Sequence, residues 1–349
     1  MSAISPFALA VIVPVLVAGV AASAVAQEQD RAPERQNYGP RLEGFDYPFR
    51  TEIFNVPVQG LGAQQGLEMA FMDVAAENPN GRTVLLLHGK NFCGATWEGT
   101  INSLTQAGYR VIAPDQIGFC KSSKPEAYQF SFHQLSQNTK ALLEQRGIDK
   151  ATVVGHSMGG MLATRFALMY PEATQQLVLV NPIGLEDWKA KGVPYQTIKA
   201  AFAGEKKTTF ESIKAYQQKF YYSGDWKPEY DKWVAMGAGM YRGEGGDQVA
   251  WNQALTSDMV FTQPVVHEFG EVKVPTLLMI GMTDKTAPGA NRAPDEIAST
   301  LGDYTQLGKQ AAEAIPNANL VEFEDLGHSP QIQDPDRFHK ALLEGLKES

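Results

Sequence analysis

The chain has 349 residues, 44% of them hydrophobic and 20% charged, which is ample for one large core and too apolar for a disordered chain. A formal net charge of −9 excludes an electrostatic binder of nucleic acid, and no basic run argues otherwise. The two cysteines, Cys93 and Cys120, and the six scattered histidines show no metal-ligand spacing, so no metal site is expected.

From Phe7 to Ala26 the chain is uncharged and apolar or small, and it turns polar at Gln27. Ala24-Val25-Ala26 fits the small-x-small pattern of a signal-peptidase site. Residues 1–26 are therefore expected to be a signal peptide cleaved near Ala26, with the protein exported to the periplasm or secreted. The stretch Met1 to Pro6 carries no Lys or Arg, and the run is nearly long enough to span a bilayer, so an N-terminal anchor is the alternative. Pro14 and the alanine-rich end favour cleavage. Residues 27–49, with Pro33, Pro40 and Pro48, read as a linker or irregular arm.

Strand-like segments follow at Thr51–Val58 and Gly66–Val74. Thr83–Leu87 is a continuous apolar run, as expected of a strand buried on both faces. A helix over Thr96–Ala107 leads to a strand over Tyr109–Ala113. The helix Phe132–Arg146 stops at Gly147. Next come strand Ala151–Val154, helix Met158–Tyr170 stopped by Pro171, and strand Gln176–Val180. This alternation predicts an α/β fold with a doubly wound, mostly parallel sheet. Residues 183–270 break the rhythm: they are rich in Trp, Tyr and Phe, without a buried strand, and read as a mostly helical cap. Strand Pro275–Ile280, a long polar stretch, strand Asn319–Phe323 and a helix over Asp336–Leu346 complete the core. The core is thus 27–182 with 271–349, and the cap 183–270.

Gly155-His156-Ser157-Met158-Gly159-Gly160 matches G-x-S-x-G between an apolar strand and an amphipathic helix, the context that confirms a nucleophile elbow. Side chains at Gly155 or Gly159 would clash with the neighbouring strand and helix, and the helix start aims N–H groups at an oxyanion. A serine hydroxyl needs a base. His328 follows the strand ending at Phe323, and Asp284 follows the strand ending at Ile280. The order Ser157, Asp284, His328 is that of one serine-hydrolase group, and each residue lies past the carboxyl end of a strand. Asp325 is the rival acid, expected instead to cap a turn. His88 and His156 are expected to be packed or hydrogen-bonded, Asp115 to fix its loop, and His133, His267 and His339 to be surface or structural.

These motifs, from about Thr51 to Leu346, resemble the α/β-hydrolase fold superfamily, in its serine-nucleophile, esterase- and lipase-like branch. Leu87-His88-Gly89 with Trp97 resembles that family's oxyanion loop. Ala113 to Phe119, ahead of Ser122, resembles its D-x-x-G-x-G-x-S loop. Phe119-Cys120 and Lys90-Asn91 depart from the usual residues. By position, the resemblance makes the N–H groups of Met158 and Lys90 the oxyanion donors, with Asn91 as the alternative second donor. The Lys90 ammonium is expected to face solvent.

Ser157 at the elbow sets the chain apart from the dehalogenases and epoxide hydrolases of the superfamily, which use an aspartate there. Lys90-Asn91-Phe92 is unlike the Gly/Pro-rich loop usual in proline iminopeptidases and C–C bond hydrolases. The expected function is a serine hydrolase acting through an acyl-enzyme on carboxylic esters with apolar or aromatic groups, its partner a small-molecule substrate. Amide, lactone or C–C hydrolysis is the alternative, with a perhydrolase side activity, and a non-catalytic binding protein is the remote one. No cofactor and no protein partner is implied. In the fold resembled, the strands preceding Cys93 and Cys120 are sheet neighbours, so in an exported protein the two can form a disulfide or stay free thiols beneath the loops.

Overall fold

The computed structural model describes residues 1–2, 33–57 and 66–347, and the apolar run expected as a signal peptide lies outside them. Among the described residues no helix is long and apolar enough to cross a membrane. The strands are β1 (Thr51–Asn55), β2 (Glu68–Val74), β3 (Thr83–Leu87), β4 (Arg110–Pro114), β5 (Ala151–His156), β6 (Thr174–Val180), β7 (Thr276–Gly281) and β8 (Ala318–Phe323). They form one 8-stranded sheet in the order β1-β2-β4-β3-β5-β6-β7-β8. β1 and β2 are antiparallel, as are β2 and β4, and every later pair is parallel. The expected doubly wound sheet is thus present. β5 and β7 are buried along their whole length, which is why they read as unbroken apolar runs.

Helices α1 (Glu98–Gln106), α2 (Phe132–Gln145) and α3 (Met158–Met169) connect the first parallel strands. α2 begins where the Ser131 hydroxyl accepts the Gln134 N–H at 3.0 Å, and it ends before Gly147, whose φ of 66° suits glycine. Between β6 and β7 lie α4 (Ile198–Glu205), α5 (Phe210–Phe220), α6 (Asp231–Tyr241) and α7 (Gly246–Thr262), so the interrupted segment is helical as expected. The C-terminal part adds α8 (Asp295–Ala298), α9 (Tyr304–Ala314), α10 (Pro330–Gln333) and α11 (Pro335–Lys347).

One sequence expectation needs correction and another is narrowed to one of its alternatives. The polar stretch before β8 contains α9, whose buried face is Tyr304, Leu307, Gly308 and Ala311. The face recurs at i, i+3, i+4 and i+7, but two of its four residues are small, and a Cβ on Gly308 would lie 3.0 Å from Ile280 Cγ1, so the close helix-to-sheet packing leaves an apolar stripe that is easily passed over among polar neighbours. The arm before β1 is irregular but docked rather than a linker. Leu42 is fully buried, and the Tyr38 N–H donates to Gly239 O of α6 at 3.1 Å.

Direction reverses at β3, which is flanked by β4 and β5, and open α/β sheets bind ligands beyond the carboxyl ends of strands at such a point. Leu87 of β3 pairs with Gly155 of β5, which brings the loops after both strands together.

Candidate active site

Ser157 occupies the turn between β5 and α3 with φ 56° and ψ −121°, a strained conformation for a residue with a side chain. The glycines around it make this turn possible. A Cβ on Gly155 would lie 2.1 Å from Gly159 O, and one on Gly159 would lie 2.2 Å from Leu87 O. The elbow is therefore pressed against the end of β3, as its sequence required. Gly89 runs against the serine: a Cβ there would lie 2.8 Å from Ser157 Cβ.

His328 and Asp284 are both fully buried. Asp284 Oδ2 accepts the His328 Nδ1–H at 2.6 Å, which fixes the tautomer and leaves Nε2 as the basic nitrogen. Nε2 has no hydrogen-bond partner among the described residues. Ser157 Oγ makes no hydrogen bond there either, so the serine and the imidazole are unlinked in this structure, as nucleophile and base often are without substrate.

Asp284 is held by neighbours that sequence reasoning missed. The Thr286 N–H donates to Oδ1 at 2.8 Å, and the Asn181 amide donates to Oδ2 at 3.0 Å. Asn181 is itself locked: its Nδ2 donates to Gly281 O at 3.1 Å and its Oδ1 accepts the Gly281 N–H at 2.8 Å. An Asn before a proline reads locally as a turn, and only the pairing of β6 with β7 brings it to the acid. Asp325, by contrast, is exposed and pairs with Arg337 at 2.5 Å. That guanidinium holds its carboxyl below the usual range. It is no partner of His328, and the ion pair is found where a turn cap was expected.

The Phe92 N–H donates to Gly89 O at 3.1 Å, closing the loop after β3. Among the described residues the N–H of Lys90 enters no turn or cap hydrogen bond, and neither does that of Met158, the first residue of α3. Both remain open as donors beside Ser157. The Asn91 amide donates to the Tyr221 hydroxyl at 2.8 Å, so it is engaged elsewhere. The Lys90 side chain departs from expectation: instead of facing solvent, its ammonium pairs with Glu205 of α4 at 2.8 Å. The other oxygen of Glu205 accepts the Tyr241 hydroxyl at 2.9 Å. Both partners come from the inserted helices, which sequence adjacency could not reveal.

The remaining polar groups fall where expected. The Gln116 N–H donates to His88 Nε2 at 3.0 Å, so Nδ1 carries the proton and donates to Gly89 O at 2.9 Å. Burial lowers the His88 pKa and that of His156, keeping both neutral. His156 Nε2 donates to His328 O at 2.8 Å. Asp115 accepts the Gly94 and Lys121 N–H groups at 2.8 and 3.0 Å and the Tyr47 hydroxyl at 2.6 Å, tying three segments together. Exposed His267 meets Asp187, and His339 meets the Thr100 hydroxyl.

Cys93 and Cys120 are joined in a disulfide, their Cα atoms 5.8 Å apart, across the loops following paired strands β3 and β4. The insertion reaches the base directly. The Tyr221 ring stacks on the His328 ring with centroids 4.4 Å apart, and the Tyr221 carbonyl accepts the His328 N–H at 3.0 Å. Beneath the inserted helices lies a cavity of about 380 Å³, bordered by Lys90, Asn91 and Phe92 on one side and by α6 and α7 on the other. Ile183, Met236, Met240, Val260 and Phe261 supply apolar walls.

Residues 82–335 match the family model of the alpha/beta hydrolase fold, and the chain belongs to that family. The crystal structure of a probable hydrolytic enzyme from Pseudomonas aeruginosa PAO1 superposes with a TM-score of 0.88 at 59% identity, covering 90% of this chain and 99% of that one. Among curated relatives, a 2-hydroxy-6-oxo-6-phenylhexa-2,4-dienoate hydrolase of Burkholderia cepacia is 28% identical, over 76% of this chain and 88% of its own length. A 2-hydroxy-6-oxononadienedioate/2-hydroxy-6-oxononatrienedioate hydrolase of Comamonas testosteroni is 27% identical over the same shares. Family and relatives together make this chain a hydrolase.

Proposed function

We propose that the protein is a serine hydrolase working through an acyl-enzyme, with Ser157 as nucleophile, His328 as base and Asp284 as the acid that orients it. The observation that carries this reading is the buried His328, whose Nδ1 is committed to Asp284 while Nε2 stays unpartnered beside the elbow. Ser157 Oγ attacks the substrate carbonyl as Nε2 takes its proton. The N–H groups of Met158 and Lys90 receive the oxyanion, a contribution of roughly 10²–10³ in rate per donor. The imidazolium returns the proton to the leaving group, and water then resolves the acyl-enzyme by the same path.

Carboxylic esters with apolar or aromatic groups are the substrates this reading favours, because the cavity beside Lys90 and Asn91 is walled largely by aliphatic and aromatic side chains. A second reading, C–C bond hydrolysis, is supported by relatives named as hydrolases of oxo-dienoates. Export is part of the proposal, supported by the leader sequence and by a disulfide suited to an oxidising compartment.

Labelling with a fluorophosphonate probe tests the nucleophile: wild type is expected to react and Ser157→Ala to remain unlabelled while folded. Initial rates on matched esters, amides, lactones and vinylogous 1,5-diketones test the bond. Faster turnover of the diketones than of every ester would replace the ester reading with the second one.

A further inference from the structure

The cavity under the inserted helices is apolar except for groups that are mostly accounted for. Glu205 binds Lys90 through one oxygen and Tyr241 through the other. Asp258 accepts the Tyr195 hydroxyl at 2.9 Å. Gln253, on α7, is different. It lines the cavity and is only 5% exposed, yet its side-chain amide makes no hydrogen bond among the described residues. The amide nitrogen of its neighbour on the same helix is tied down by the protein: Asn252 Nδ2 donates to Pro125 O and Gln248 O, each at 3.0 Å. Only the Gln253 main chain is engaged, its carbonyl accepting the Ser257 hydroxyl at 3.0 Å.

An amide that faces the cavity without a protein partner is left to water in the free enzyme, and a polar group of the ligand that replaces that water keeps its hydrogen bonds where an apolar group would lose them. The amide offers both a donor and an acceptor. Lys90 and Glu205, the charged groups nearest the oxyanion loop, already neutralise one another, so a charged ligand group beside that loop would have to displace their pair. We propose that Gln253 determines substrate specificity: it recognises an uncharged group able to donate and accept, a hydroxyl or carboxamide, at the end of the substrate remote from the scissile bond. This rests on the ester-hydrolase reading above and narrows its substrate class.

The probes are 4-nitrophenyl esters of straight-chain acids of graded length, each prepared with a methyl, hydroxyl, carboxamide or carboxylate terminus. They are compared on wild type and Gln253→Met, with Gln253→Leu as a second variant if the first is unstable by thermal melting. At one chain length the hydroxyl or carboxamide ester is expected to gain in kcat/KM over the methyl ester. That gain, taken as the ratio of the two esters within each protein, should fall by about tenfold in the variant, the worth of one hydrogen bond in a site. A preference that survives substitution at every length overturns the inference. So does a gain confined to the carboxylate ester and abolished instead by Arg292→Gln, the half-exposed cation at the same cavity. The same termini on non-hydrolysable ketone analogues, titrated by calorimetry, give the discrimination as affinity. Failure of the serine nucleophile would show as absent turnover and absent fluorophosphonate labelling, and failure of the ester reading as faster turnover of the diketones than of every ester, whereas failure of this inference leaves labelling and ester turnover intact.

Discussion

At the scale of single residues, the candidate site depends on what holds the acid. Asp284 receives three hydrogen bonds, from His328, Asn181 and Thr286. Asp284→Asn keeps the shape but offers Nδ1 a donor in place of an acceptor, so kcat is expected to fall by up to ~10⁴, whereas Asp325→Asn, at an exposed ion pair, is expected to change it less than about twofold. If steady-state rates show Asp325→Asn to be the more damaging, the acid is misassigned. Asn181→Ala removes one of the carboxylate's fixed donors and is expected to lower kcat by roughly tenfold with KM little changed, since Asn181 positions and does not touch substrate. A buried residue away from the triad gives a pH signature. Lys124 donates to Cys120 O and Ser122 O at 2.5 and 3.1 Å, and burial pushes its pKa down from the usual 10.5 to about 7. Between those values the unfolded chain holds a proton that the folded chain has released, so stability rises with pH from about 7 toward 10.5. Urea midpoints at pH 7 and pH 9 should show that rise in wild type and lose it in Lys124→Met.

At the scale of elements, the sheet was legible because buried parallel strands are continuous apolar runs, and the elbow because Gly155 and Gly159 can only be glycine in that turn. Asn181 and Tyr221 were not legible, since one carries no local motif and the other lies in a segment whose aromatics could equally have formed a core of their own. Many of them do: Tyr222 stacks on Tyr230 at 4.1 Å and meets Trp226 edge-on. Tyr221 alone among these rings stacks on His328, and a Cβ on Gly327 would lie 2.1 Å from its carbonyl. The insertion and the loop after β8 are thus packed as one unit, and the insertion sets the position of the base. Tyr221→Phe keeps the stack and loses only the bond from Asn91, so kcat/KM is expected to fall less than about threefold. Tyr221→Ala removes the ring covering the imidazole, and a misplacement of the order of 1 Å costs ~10²-fold. A Tyr221→Ala enzyme as active as wild type, measured on a small ester that does not fill the cavity, would show the insertion to be packing only.

At the scale of the whole molecule, three structures converge on the loop after β3: the disulfide to Cys120, the Lys90 pair with Glu205 in α4, and the Gly94 bond to Asp115. The disulfide is the only covalent tie among them, and it closes a sequence separation of 27. Cross-linking a loop of that length restricts the unfolded chain by an amount worth about 3–4 kcal/mol in the chain-entropy account. Both cysteines are buried and border the cavity, so the bond also fixes the segment that carries the Lys90 N–H. Denatured, unreduced protein is therefore expected to show no titratable thiol, and two per chain would mean the bond is absent. The Cys93→Ser/Cys120→Ser protein should melt roughly 6–16 °C lower, taking ~2–4 °C per kcal/mol for a domain of moderate size. Its kcat should also fall at temperatures where it is fully folded, because an oxyanion donor held less firmly stabilises the transition state less. Comparing kcat with the folded fraction from circular dichroism separates the two effects. A variant that melts lower but turns over at the wild-type rate while folded would leave the disulfide a stabiliser of the fold, with the oxyanion loop positioned by Asp115 and Glu205 instead.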